Sequence, residues 1–106
     1  MKQVYSDGEL GTVVEQATFY MCACPAQVAD TVRKLRHLYA YQKNCMARGS
    51  NEINVEVHNR IAQATVEAHD VMESCMQDIL RIEGWNPVTL EMPEGLRALR
   101  DREAME

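Results

Sequence analysis

The chain has 106 residues, a length that accommodates one domain. Its 11 basic and 16 acidic side chains give a formal net charge of −5, which argues against a sequence-independent nucleic-acid binder, because such a protein needs a basic surface. Hydrophobic residues make up 46% of the chain, which is enough for a buried core and excludes disorder throughout. No apolar stretch approaches the roughly 18 residues that a membrane-spanning helix needs.

The expected compartment is the cytoplasm, because residues 1–8 are polar and lack the apolar stretch of a secretory signal peptide. Thiols stay reduced there, so the four cysteines are expected to be core residues, metal ligands or redox groups. The chain carries no dinucleotide-binding glycine motif, no phosphate-binding loop and no zinc-protease motif. It also lacks the Glu-x-x-His pairs of di-iron bundle proteins. These absences favour a binding protein over a familiar enzyme.

The first predicted element is a helix from about Ser6 to Ala23. Ser6 is followed three residues later by Glu9, which is the pattern of a capping box. Pro25 suits the first turn of a second helix, because proline has no amide hydrogen, and Cys24 is then expected at the N-cap. The apolar residues of the first helix recur at helical spacing: Leu10, Val13, Val14, Ala17, Tyr20 and Met21.

The second and third predicted helices are long. The second runs from Pro25 to Arg48, and a turn at 49–51 leads into the third, which runs from about Glu52 to Glu83 without proline or glycine. The third helix carries apolar residues every three or four positions, as in a coiled coil. We call this set the apolar row: Ile53, Val57, Ile61, Ala64, Ala68, Val71, Cys75, Ile79 and Ile82.

The sequence after the third helix predicts irregular structure. Gly84 is expected to end the helix, with Trp85 folding back on Leu80. A turn at Asn86-Pro87, an extended segment over residues 88–90 and a short helix are expected within residues 86–105. The whole chain, 1–106, is therefore interpreted as one all-α domain: an N-terminal helix, a long antiparallel hairpin over about 25–83, and a short C-terminal helix.

The length of the third helix predicts self-association. About 32 residues span about 48 Å, whereas a compact chain of this size has a radius of gyration of about 13 Å. The second helix is shorter and is expected to cover only part of the apolar row. We therefore expect a homodimer that completes a helical bundle, with an elongated three-helix monomer as the alternative.

Cysteines provide the clearest chemical motif. In a hairpin that turns at 49–50, Cys24 lies opposite Cys75, with Cys22 close by in sequence and His69 as a possible fourth member. These four residues are the candidate ligands of a thiolate-bound metal, and the three thiols are candidates for redox sensing. The alternative is a purely structural role, in which the cysteines are small core residues.

Charged residues are expected on solvated faces. Arg36 belongs to a basic face of the second helix, and Glu73 to an acidic face of the third. The same hairpin alignment places Asp30 across from His69, with Glu73 one turn further along, as an orienting carboxylate or a surface pair. The leading hypothesis is a small cytoplasmic self-associating protein that acts as a binding or regulatory module for a protein partner. The competing hypothesis is a thiol-based metal-binding or redox-sensing protein.

Overall fold

A computed structural model describes residues 1–19, 23–48 and 52–93 of the chain. This part is all-helical, with no strand and three helices: α1 (Asp7–Phe19), α2 (Ala23–Ala47) and α3 (Glu52–Glu83). None of these helices combines the length and the apolar character needed to cross a membrane. The turn predicted at 49–51 and the short helix expected near the C-terminus, from residue 94 onwards, lie outside the described residues.

Local capping interactions fix the ends of α1 and α3. The Ser6 amide donates to Glu9 Oε1 at 2.9 Å, and the Glu9 amide donates to Ser6 Oγ at 3.0 Å, which confirms the predicted capping box. Gly84 has a φ of 82°, and the Trp85 amide donates to the Leu80 carbonyl at 2.9 Å. This is the αL termination predicted for the end of α3. The start of α2 differs from the prediction by two positions, because α2 begins at Ala23 instead of Pro25, so Cys24 lies within its first turn and is not the N-cap.

The turn predicted at Asn86-Pro87 is present, but it continues through residues 87–89, where the sequence predicts an extended segment. The side-chain oxygen of Asn86 accepts hydrogen bonds from the amides of Val88 and Thr89, at 2.8 and 2.9 Å. An asparagine that bonds its own following backbone favours a turn over a strand. The turn brings Leu90 back into the core, where it is buried with a φ of 59°.

The apolar core occupies one end of an elongated molecule. The radius of gyration is 17.3 Å and the extents are 60 × 22 × 18 Å, against about 13 Å for the radius of a compact chain of this length. The core residues come from α1, the first half of α2, the second half of α3 and the turn that follows: Leu10, Val13, Ala17, Ala29, Val32, Met76, Leu80, Trp85, Leu90 and Met92.

Among the described residues, the opposite end of the molecule is formed by α2 and α3. We call it the arm: residues 38–47 of α2 and 55–66 of α3. The N-terminus of α1 lies beside Arg36, and its C-terminus precedes the start of α2, so α1 packs along the other half of α2. Within the arm, Gln42 Oε1 lies 2.5 Å from His58 Nδ1. The buried residues of the arm are Gln42, Ala62 and Thr65.

The face that α3 buries differs from the predicted one. Its buried positions are Ala62, Thr65, His69, Glu73, Met76 and Leu80. The apolar row lies about 120° away around the helix, and from Val57 onwards five of its eight residues are exposed and three are half-buried, with Val57 at 51%, Val71 at 67% and Ile82 at 75% exposure. The prediction that α2 covers the apolar row is therefore wrong. The physical reason is the charge cluster described next, which needs His69 and Glu73 on the buried face.

Candidate functional site

A buried arginine connects all three helices with the N-terminal segment. Arg36 is 7% exposed and uses its guanidinium as a four-way donor. It donates to Glu73 Oε2 at 3.0 Å, to His69 Nε2 at 3.0 Å, to Asp7 Oδ1 at 2.5 Å and to the Tyr5 carbonyl at 2.5 Å. We call Asp7, Arg36, His69 and Glu73 the Arg36 cluster. Because its members come from α1, α2 and α3, the cluster fixes how these helices are placed against one another.

Glu73 uses both carboxylate oxygens within this cluster. Besides the bond from Arg36, it accepts the amides of Val4 and Tyr5, each at 2.9 Å from Oε2, with a second contact from Val4 to Oε1 at 3.1 Å. A buried carboxylate is costly unless it is paired and hydrogen-bonded, and this one is both. Glu73 therefore holds the N-terminal segment against α3.

His69 is fully buried between charged neighbours. Its Nε2 accepts a hydrogen bond from the Arg36 Nε–H group, so the proton of the neutral ring lies on Nδ1. Nδ1 has no hydrogen-bond partner, and the nearest carboxylate oxygens are those of Glu73 at 3.6 Å and Asp70 at 3.8 Å. The ring is thus held in one tautomer by Arg36 and points its remaining donor towards acidic groups.

The surroundings of His69 contain one group of potential metal ligands. Among the described residues, one group of three potential ligands lies within 4.8 Å, namely His69, Asp70 and Glu73. This group contains no cysteine. Its chemistry also disfavours a cation, because Nδ1 carries a proton instead of a free lone pair, and because the Arg36 guanidinium already neutralises Glu73 at 3.0 Å. The arrangement suits a structural charge cluster.

The predicted thiols occupy different environments. Cys22 lies outside the described residues. Cys24 is exposed, while Cys45 and Cys75 are half-buried, and none of these three forms a disulfide. The predicted pair of Asp30 with His69 is wrong, since Asp30 bonds Arg33 of its own helix at 2.6 Å.

The sequence interpretation missed Arg36 and Glu73 as buried residues. On α2, the buried positions 25, 29, 32 and 36 follow one another at spacings of three and four, so Arg36 continues the same face as three core residues. Glu73 likewise continues the buried face of α3. Helical spacing alone would have placed both on these faces. Their charge argued the other way, because charged residues are rarely buried unless paired.

A cleft of about 530 Å³ lies beside the cluster, between the N-terminal segment, the end of α3 and the following turn. Its lining is mainly apolar: Val4, Tyr5, Leu80, Trp85, Pro87 and Leu90. Burial raises the pKa of Tyr5 above its ordinary value, and the negative charges of Glu73 and Glu9 raise it further. The hydroxyl of Tyr5 therefore stays protonated at neutral pH.

The outer face of the arm is the second unusual feature. A shallow groove runs along the apolar row and is lined by residues from both helices: Leu35, Leu38, Arg60, Ile61, Ala64, Thr65 and Ala68. Leu38 is 40% exposed at its edge. The groove borders Ile61, Ala64 and Ala68 of the row, and exposed apolar patches of this kind are features of interaction sites.

No protein family matches the chain, and no similar curated protein or solved structure is found. Functional inference therefore depends on the two features described above. Apart from His69 Nδ1, the hydrogen bonds described for the Arg36 cluster engage its side chains within the chain, whereas the groove beside the apolar row is open to solvent.

Proposed function

We propose that this protein is a small self-associating helical module, and that a second copy of the chain binds the apolar row of α3. The observation that carries the proposal is the exposure of this row. Val57 and Val71 are more than half exposed although they belong to an apolar pattern that continues over several turns. In this proposal α2 and α3 form an antiparallel hairpin, and two hairpins build a bundle that serves as a platform for further partners.

The spacing within the apolar row supports a helical partner. From residue 57 to residue 75, the row advances by four, three, four, three and four positions. This alternation is the heptad pattern that keeps one seam facing a neighbouring helix along its length. Because α3 buries a different face within its own chain, the seam is available to a second chain.

The small apolar core of the arm also supports the binding of a second copy. The buried residues of the arm include the polar side chains of Gln42 and Thr65, so its own apolar core is small. Helical hairpins of this kind gain a core when a second hairpin packs on them to form a four-helix bundle. The arm of a second copy would supply this additional layer of the core, because it has the same length and the same apolar residues.

A cytoplasmic location fits this proposal, because the three described cysteines are unpaired, as is usual in a reducing compartment. A thiol-based role is the second candidate. The observation that favours it is the exposure of Cys24 in the first turn of α2, where oxidants and soft metal ions have access to the sulfur. Cys75 is half-buried and is the described candidate for a second thiol.

Sedimentation equilibrium tests the self-association. We expect a mass of twice the chain mass of 12.1 kDa at about 100 μM, with dissociation on dilution. Ala64→Glu places a charge on the exposed row without disturbing the buried face, so it should give a monomer with an unchanged helical circular dichroism spectrum. Gln77→Glu is the matched control, because it adds the same charge at an exposed position of α3 that faces away from the row, and it should leave the dimer intact. A wild-type chain that stays monomeric at this concentration would refute the proposal.

A further inference from the structure

We infer that the two copies pair through antiparallel α3 helices whose two-fold axis passes between residues 62 and 63. This inference deepens the proposed function and depends on it. It assigns the orientation and the alignment of the partner helix, which the exposure of the apolar row does not by itself decide. Three observations carry it: the order of large and small residues in the row, the charges beside the row and the position of the arm.

The order of residue sizes favours an antiparallel pair. The row places its large side chains, Val57 and Ile61, before its small ones, Ala64 and Ala68. With the axis at 62–63, Val57 faces Ala68 of the partner subunit, and Ile61 faces Ala64 of the partner subunit. Symmetry repeats both contacts, so each of the four layers joins one large and one small side chain. Such alternation fills the interface without voids.

The charges beside the row favour the same alignment. Arg60 and Glu67 are exposed on one flank of the row, seven residues apart, and among the described residues neither forms an ion pair within the chain. In an antiparallel pair this flank faces its own copy. With the axis at 62–63, Arg60 faces Glu67 of the partner subunit with an axial offset of about 3 Å, and symmetry provides a second such pair.

The neighbouring alignments lose this complementarity. Moving the axis to residue 59 brings Arg60 close to Arg60 of the partner subunit, and moving it to residue 66 brings the two Glu67 side chains together. In a parallel pair, Arg60 faces Thr65 of the partner subunit and Glu67 faces Met72 of the partner subunit, so no ion pair forms. Like charges across an interface select against an alignment, and opposite charges select for it.

The fold accommodates this arrangement. Antiparallel overlap about residues 62–63 pairs the N-terminal part of α3 up to about residue 73 with its copy. The two arms then lie side by side, and the two apolar cores lie at opposite ends of the dimer. The exposed Leu38 borders the groove along the row, so α2 of each chain can contribute to the bundle.

Charge reversal tests the alignment. Glu67→Arg creates two arginine–arginine contacts per dimer and should raise the dimer Kd about tenfold, as should Arg60→Glu with its two carboxylate contacts. The double variant Arg60→Glu/Glu67→Arg restores opposite charges and should return the Kd to within about threefold of the wild type. Glu15→Arg is the control for net charge, because Glu15 is exposed on α1, away from the row.

Disulfide cross-linking in a background with all four cysteines replaced by serine provides an independent readout. Ala64→Cys should cross-link to its copy, because the two positions are offset by only about 4 to 5 Å along the axis. Val71→Cys should not, because its two copies lie about 25 Å apart. A dimer in which Val71→Cys cross-links readily, or in which single charge reversals leave the Kd unchanged, would overturn the antiparallel alignment while self-association stands. A monomeric wild type would instead refute the proposed function.

Discussion

The Arg36 cluster makes a strong prediction about stability. Arg36→Met keeps much of the side-chain volume but removes four hydrogen bonds and leaves the carboxylate of Glu73 buried without its cation. Both side chains are nearly inaccessible, at 6% and 3% exposure, so solvent screening offers little relief. Removing one member of a buried, hydrogen-bonded ion pair costs about 3–5 kcal/mol. We expect a loss of this size in the free energy of unfolding, a large share of the total for a small domain.

Urea denaturation at one fixed protein concentration measures this loss. The single tryptophan, Trp85, lies in the apolar core and reports tertiary unfolding, while circular dichroism reports the helices. Arg33→Met is the matched control on the same helix, because Arg33 is 37% exposed and pairs only with Asp30. Such a surface pair contributes about 0–1 kcal/mol, so the control should unfold close to the wild type.

A double variant separates the charge from the packing. In Arg36→Met/Glu73→Leu the buried charge is gone, so the loss should be clearly smaller than the sum of the two single losses. The reasoning is refuted if Arg36→Met lowers the free energy of unfolding by less than about 1 kcal/mol. It is also refuted if the loss in the double variant equals the sum of the two single losses. Either result would mean that Glu73 does not need its cation.

Three further predictions concern other parts of the chain. Gly84→Ala should lower the free energy of unfolding by about 1–2 kcal/mol in urea titrations, because its left-handed backbone is strained for any L side chain, although an added Cβ meets no atom within 4 Å. The raised pKa of Tyr5 means that the folded state holds this proton more tightly than the unfolded state. Stability should therefore fall as the pH rises above about 10, and Tyr5→Phe should make that fall less steep in thermal unfolding measured against pH. Cys24 should react with a thiol reagent faster than Cys75, as followed by peptide mass spectrometry, and equal rates would contradict their different exposure.

The helix ends could be predicted because their determinants are local. Ser6 and Glu9 are three residues apart and bond each other, and Gly84 supplies the left-handed residue on which the α3 terminus depends. A capping box or a glycine terminus involves neighbouring residues, so the sequence contains the whole interaction. Asn86 has the same local character, and the turn predicted at Asn86-Pro87 is present, but it extends into residues 88–89, where the prediction was an extended segment.

The buried face of α3 could not be predicted from apolar spacing, because the helix has two candidate faces. The apolar row is the more hydrophobic of the two, and hydrophobicity alone favours burying it. The face that is buried contains His69 and Glu73, whose partners Arg36, Val4 and Tyr5 are 33 to 69 residues away in the chain. Burying His69 and Glu73 becomes energetically favourable only when these distant donors are in place. The sequence likewise identified His69 as a candidate beside Glu73, which lies 3.6 Å from it, but did not foresee the bond from Arg36.

The Arg36 cluster and the apolar row are linked through the rotation of α3 about its axis. Turning α3 by about 120° would bury the row against α2, but it would also carry Glu73 and His69 away from the guanidinium and the amides they bind. Separating the buried guanidinium from its carboxylate costs several kcal/mol, and this cost opposes the gain from burying exposed residues of the row such as Val57 and Val71. The cluster therefore keeps the row on the outside of the chain. In this view, the polar contacts of the monomer determine which apolar surface is available for a partner.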